Sequence, residues 1–294
     1  MHHKIPKSAA MVVAVGASGD AMDSTPSLFT AGLAIGAALL YLLAAWQQVL
    51  NLETGAERQR QQIAMVGTAA IAAHALAAYL PAQAGESSLG FYRVASLMFL
   101  SMGVISLVAL VARPLHTLLI VLFPLAALSI LVATFAPDTS RPMSDLPAGI
   151  LSHVSASIIS FAVLALGVLQ GLLVTVQSRQ LRQHRNRGVI RKLPPLEAAS
   201  ALFYELTGAG FLILTVAIGS GMIFIDDLFS QHLVHKTVLT ILAWCLYTVL
   251  LVQYFRRGWR VQSAITLNLI AFSLVVLGFF GSKLVLELVL PRTV

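Results

Sequence analysis

Eight apolar runs, each about as long as a bilayer is thick, constrain this chain more than any other feature. A hydrocarbon core about 30 Å thick is crossed by about 20 residues of α-helix. Inside lipid the backbone has no water to bond, so runs of that length must satisfy their own N–H and C=O groups as helices. The runs are 27–50, 63–80, 92–111, 115–135, 149–176, 200–225, 236–255 and 262–281. The second is near the short limit, and the fifth is long enough to tilt or project. Composition agrees: 58% of the 294 residues are hydrophobic and 11% are charged, against about 25% charged in a soluble domain. The expected fold is all-α, a polytopic membrane bundle of about eight transmembrane helices.

Loop charges orient the bundle. Positively charged loops stay cytoplasmic. The loops 51–62, 112–114, 177–199 and 256–261 hold 12 of the 19 basic residues, with the long loop contributing Arg179, Arg182, Arg185, Arg187, Arg191 and Lys192. The opposite loops carry Glu86, Asp138, Asp145, Asp226 and Asp227. Both termini then lie outside (N-out, C-out), and the expected location is the bacterial inner membrane. The net charge of +7 is a consequence of this topology, so no nucleic-acid partner is expected. Trp46, Tyr204, Tyr254 and Trp259 sit near cytoplasmic span ends, and Tyr79, Phe91 and Tyr92 near outer ends, the depths aromatic side chains prefer.

Residues 1–25 read as a flexible lead-in, and 26–294 as a single transmembrane domain. Gly32 and Gly36 form a GxxxG pattern, and Ala69–Ala78 is alanine-rich. Both allow close helix packing. No convincing repeat relates the two halves, which weakens an inverted-repeat transporter reading. The single cysteine, Cys245, excludes an internal disulfide, a CxxC pair and a cysteine-cluster metal site.

Ionisable residues inside spans are costly and mark function. His74 lies some 11 residues into the second span. His153 opens the fifth from the outside, with Ser157 and Ser160 on the same helix face by their i+4 and i+7 spacing. His232 and His235, followed by Lys236, stand at the outer start of the seventh. Three helices thus bring imidazole to the outer half of the membrane. Neutral imidazole ligates iron, and two on facing helices can hold a haem without cysteine. Arg93 and Lys236, at outer span ends, are candidates for the propionates, although snorkelling anchors are the simpler reading of each alone. Interhelical hydrogen bonding competes equally for His74, and a capping or interfacial role for His232 and His235. Glu205 lies about one turn into the sixth span from the cytoplasm, where a solvated or arginine-paired carboxylate is expected. No GxSxG, HExxH, Walker or GxGxxG pattern is present, so no catalytic centre is expected.

The ordered segments "AAHALAAYL", "GILSHVSASIISFAVLALGVLQGLL", "KLPPLEAASALFYELTGAGFLILTVAIGSG", "HKTVLTILAWCLYTVLL" and "FFGSKLVLELVL" resemble the cytochrome c assembly (CcsA-like) membrane family, in its YpjD and HemX-type branch. The resemblance covers roughly residues 27–291. It implies haem handling, with His74 matching an early-span histidine and His153 an outer histidine that opens a later span. It also implies a tryptophan-rich outer motif ending in Trp-Asp, but "DDLFSQHLVHKTV" stands there without tryptophan. The family's last outer histidine is absent after "FFGSK", and His235 falls near the missing motif. The expectation is therefore a haem-binding accessory protein rather than a synthase, with His74 and His153 as axial ligands and His235, Arg93 and Lys236 beside the cofactor. Its partners would be cytochrome maturation or haem-synthesis proteins. The alternatives are a permease for a metal ion or small solute, using Glu205, Asp226 and Asp227, and a regulator of haem synthesis acting through the basic loop 177–193.

Overall fold

A computed structural model describes residues 26–54, 57–83, 90–109, 115–136, 146–183, 194–225, 234–258 and 260–281. The lead-in 1–25, most of the basic loop, Asp226, Asp227 and His232 lie outside the described residues. Within them all regular structure is helical, and each apolar run has become one helix. These are α1 (Leu28–Thr54), α2 (Glu57–Gln83), α3 (Phe91–Ala109), α4 (Leu119–Phe135), α5 (Ala148–Arg182), α6 (Leu196–Phe224), α7 (Val234–Arg257) and α8 (Val261–Val276). A 3₁₀ turn over Leu115–Leu118 leads into α4, and a π-helical turn over Leu277–Gly281 extends α8. Seven of the helices, α8 counted together with its π-helical turn, are long and apolar enough to cross a bilayer. The eighth, α4, is 17 residues long and gains its remaining length from the 3₁₀ turn.

The helices form two four-membered rings in chain order. In the first, α1 packs on α2 and α4, and α3 packs on α2 and α4. In the second, α5 packs on α6 and α8, and α7 packs on α6 and α8. Contact between α3 and α5 joins the rings. The two halves therefore share an architecture although no sequence repeat announces it. Short loops between antiparallel neighbours are enough to produce this order twice.

The closest seam runs between α5 and α6. Water does not drive helices together inside lipid, so their association depends on close backbone approach and interhelical hydrogen bonds. Glycines provide the approach. A Cβ on Gly210 would stand 2.6 Å from Leu164 Cδ2 and 3.1 Å from its backbone nitrogen. One on Gly171 would stand 3.2 Å from Phe203 and from Ile265, and one on Gly149 would run into the Phe224 ring. Across the same seam Ser160 Oγ donates to the Gly210 carbonyl at 3.1 Å, and Gln170 Nε2 to the Ala199 carbonyl at 2.9 Å. Gln177 Nε2 closes the far end on the Pro194 carbonyl at 2.7 Å.

Gly32 and Gly36 behave differently. A Cβ on either meets nothing within 4 Å, so this GxxxG pattern packs no helix of its own chain among the described residues.

Gly210→Ala should lower stability by about 1–3 kcal/mol through overpacking. Gly219→Ala, where nothing lies within 4 Å, should leave it nearly unchanged. Thermal unfolding of the two variants in one detergent checks the contrast.

Candidate functional site

His74 is fully buried inside the first ring. Tyr41 of α1 stands 3.2 Å from its Nδ1, and Ser96 of α3 stands 2.8 Å from its Nε2. The Tyr41 hydroxyl donating to Nδ1 leaves Nε2–H to donate to Ser96, and the other tautomer reverses both bonds. Either way both ring nitrogens are occupied. Tyr41 also meets His74 edge-on, with ring centroids 5.8 Å apart, and leans on Phe123 of α4 at 5.2 Å. Gly103, seven residues after Ser96 on the same face of α3, makes room beside Ile71 and the Tyr41 hydroxyl. All four helices of the ring thus converge on one buried polar group and its packing.

His153 is held otherwise. Its Nδ1 lies 2.8 Å from the Ala217 carbonyl and 3.2 Å from Ser220 Oγ, across the α5–α6 seam. A carbonyl only accepts, so Nδ1 carries a proton, and in the neutral ring the lone pair is then on Nε2. Among the described residues no hydrogen bond reaches that Nε2. Gly221 cradles the ring, since a Cβ there would stand 2.9 Å from His153 Cε1. The imidazole is half-buried.

The two histidines do not face each other. Val94 and Met98 of α3 pack with Val154 and Ile158 of α5. Ser96, which bonds His74, sits two residues from each, about 200° away around the helix. Helix α3 therefore stands between His74 and α5.

Three other candidates gather at the end of the second ring where His153 lies. Phe91 of α3 packs on Phe280 of the π-helical turn with centroids 5.1 Å apart, and Arg93 stands in the same first turn of α3, about 200° around the helix from Phe91. The Lys236 carbonyl lies 3.5 Å from where a Gly278 Cβ would be, so α7 opens against the same turn. Arg93 and Lys236 each have a partner in the fold. His235, next in chain to Lys236, is exposed. Phe279 and Phe280 meet the Phe161 ring of α5 at 5.9 and 5.6 Å, the first tilted and the second edge-on, and share a cluster with Val154, the residue after His153. Sequence reasoning missed Tyr41, Ser96, Ala217 and Gly221. Hydroxyls and glycines are frequent in membrane helices, and only the fold shows which of them meet an imidazole. Among the described residues no cluster of three or more His, Cys, Asp or Glu is arranged to hold a bare metal ion.

Tyr41→Phe removes one partner of a buried imidazole, which costs about 1–3 kcal/mol when the group is left unsatisfied. The variant should unfold at lower temperature than the parent. Adding Tyr41→Phe to His74→Leu should cost less than Tyr41→Phe alone, because the orphaned nitrogen is gone. A double-mutant cycle of melting measurements reads the difference.

The chain resembles known membrane proteins over most of its length. The family model for "Cytochrome C assembly protein" matches residues 34–290. The inner membrane protein YpjD of Escherichia coli K12 is 28% identical over 172 residues, covering 58% of this chain and 65% of YpjD. This chain thus spans somewhat under two thirds of that relative. The cytochrome c biogenesis protein CcsA of Prochlorococcus marinus is 25% identical over 219 residues, covering 63% of this chain and 69% of CcsA. Protein HemX of Brevibacillus brevis is 24% identical over 134 residues, 45% of this chain and 49% of its own length. No solved structure matches. With eight helices in a membrane bundle and the family model matched across nearly all of them, the chain belongs to the cytochrome c assembly protein family.

Proposed function

We propose that this protein binds haem at the outer end of its second ring, through His153, as an accessory to cytochrome maturation or haem homeostasis. One observation carries the reading: Nδ1–H of His153 is bonded to the Ala217 carbonyl, which leaves Nε2 as the available ligand. That arrangement fixes tautomer and ring orientation, as partners beyond the metal do for ligating histidines generally. The family match supports haem as the group concerned, and the name of the CcsA relative points to cytochrome c biogenesis.

The residues fit the cofactor unevenly. His153 offers a nitrogen, Arg93 and Lys236, in the first turns of α3 and α7, are the candidate cations for propionates, and Phe279 and Phe280 supply apolar faces. His235 is the candidate for a second ligand from this end. His74 would have to surrender Tyr41 or Ser96 first, and α3 stands between it and α5, so we assign His74 and His153 different roles rather than one shared iron. His74 is better suited to holding the first ring together, and to entering haem chemistry only with a rearrangement of α3. Bound haem would supply a ligated iron for storage, transfer or delivery. The chain's own part is to present a lone pair, orient it and counter the propionate charge. The matching position lacks the tryptophan-rich motif, and the accessory assignment rests on that.

The purified full-length protein titrated with haem should develop a Soret band. His153→Ala should abolish it, or shift it strongly, while His74→Ala should lower the melting temperature and keep the band. A band indifferent to His153→Ala sinks the proposal, provided circular dichroism shows both variants folded.

The site's function also needs its sidedness. We take the basic loops as cytoplasmic, so His153 faces outward. In a Cys245→Ser background, Ala148→Cys, at an exposed position opening α5, should react with a membrane-impermeant maleimide from outside. Gln183→Cys, exposed at the other end of that helix, should react only after permeabilisation. The reverse pattern overturns the orientation.

A further inference from the structure

The N-terminal half of α6 borders a groove on the face opposite the α5 seam. Between α6 and α7 a groove of about 570 Å³ opens outward from the bundle, lined by Tyr204, Glu205, Gly208, Leu212, Thr248 and Tyr254 among others. Two aromatic clasps across α6 and α7 bound it. At one end Tyr204 and Tyr254 stack with centroids 3.8 Å apart. At the other, Phe211 stacks on Trp244 at 5.7 Å, and the indole nitrogen donates to Thr215 Oγ1 at 2.9 Å. The helices spread between the clasps because Gly208 places no side chain there; a Cβ at that position would stand 4.0 Å from its nearest neighbour, Leu251. The walls are membrane-facing: Leu212 is 65% and Phe255 79% exposed.

We infer that this groove holds a phospholipid with an ethanolamine headgroup, its acyl chain between α6 and α7. The inference is independent of the haem reading. From Tyr204 to Leu212 the groove spans eight residue steps, about 12 Å of helix, a length suited to part of an acyl chain. The tyrosine pair marks headgroup depth, where amphipathic rings settle. At that depth the groove presents a carboxylate, Glu205, and two and six residues after Tyr254 in the chain come the exposed Arg256 and Arg260.

This charge pattern selects the headgroup. The phosphate of any phospholipid suits the arginines, which favour phosphate oxygens. A glycerol headgroup offers hydroxyl donors to Glu205 but no cation to offset its charge. A choline headgroup carries a cation but no N–H. An ethanolamine ammonium carries three donors for the carboxylate. Glu205 already takes part in the fold's interactions, and an ionised carboxylate has two oxygens and about four acceptor positions.

The test is native mass spectrometry of the full-length protein released from vesicles of equimolar dioleoyl phosphatidylethanolamine, phosphatidylglycerol and phosphatidylcholine. The ethanolamine lipid should be retained about five-fold over the other two, the scale of one partly exposed charged pair. Glu205→Gln should erase that preference and keep lipid bound. Gly208→Leu should remove retained lipid of every class. Ala201→Leu, from an exposed groove position, serves the same end if Gly208→Leu does not fold. Equal retention of the three lipids, a preference that survives Glu205→Gln, or retention that survives groove filling overturns the proposal. So does a lipid-free protein that runs as a dimer until the groove is filled, which would assign this face to a second copy of the chain.

Discussion

The α5–α6 seam is the interaction on which the rest of the second ring depends. It extends from Gly149 against Phe224 at one end to Gln177 on Pro194 at the other. In lipid the usual hydrophobic gain from bringing two helices together is absent, so a long seam must be assembled from contact and hydrogen bonding. Here α5 places Ser160, Gln170 and His153 on carbonyls of α6. Each bond needs the backbones to be near, and the glycines at 171, 210 and 221 bring them near. The orientation of His153 is therefore a product of packing along the whole helix pair. A shift of α6 by even a fraction of a turn would move Ala217 away from Nδ1 and release the tautomer.

The first ring solves a different problem. A buried imidazole with no partner is expensive, and His74 answers this with Tyr41 from α1 and Ser96 from α3. Bonds to two neighbouring helices fix the register of three helices at once. Such a polar group is a register device as much as a ligand, because sliding any one helix leaves a nitrogen unpaired. The two membrane histidines thus differ in hydrogen-bond state. One is saturated and joins helices, and the other is anchored by one nitrogen and open at its second.

Most of the fold was legible because the bilayer allows so few choices. A run of 20 apolar residues can only be a helix, and the eight runs emerged as eight helices with ends shifted by a few residues. The extension of α5 to Arg182 carries the helix past the apolar run, where Gln177 and Ser178 make side-chain bonds to Pro194 and Gln262. The site was legible only in part. Position along a span told that His74 and His153 sit inside the bundle, but not which helix each faces. That depends on angular position around α3, where residues two apart point to opposite sides. The GxxxG of α1 shows the converse limit. Its spacing permits close packing, and the fold turns it outward because Ala34, Ala37, Ala38 and Tyr41 already occupy the inward face.

Helix α6 joins these threads. One face is committed to α5 and cannot move without losing the seam. Its opposite face spreads from α7 between two aromatic clasps. A helix fixed on one side gives a groove on the other a rigid wall, so whatever fills that groove acts on α7 rather than on α6. Helix α7 in turn lays the Lys236 carbonyl, Leu239 and Thr240 against the π-helical turn that carries Phe279 and Phe280. A π-helical turn holds one residue more than the α-helical turn it replaces, and such turns are found where a helix must re-aim side chains. Occupancy of the α6–α7 groove would therefore bear, through the tilt of α7, on the turn beside His153. The coupling needs no special wire between the two ends. It follows from one rigid helix, one looser neighbour, and an aromatic turn that packs on both rings.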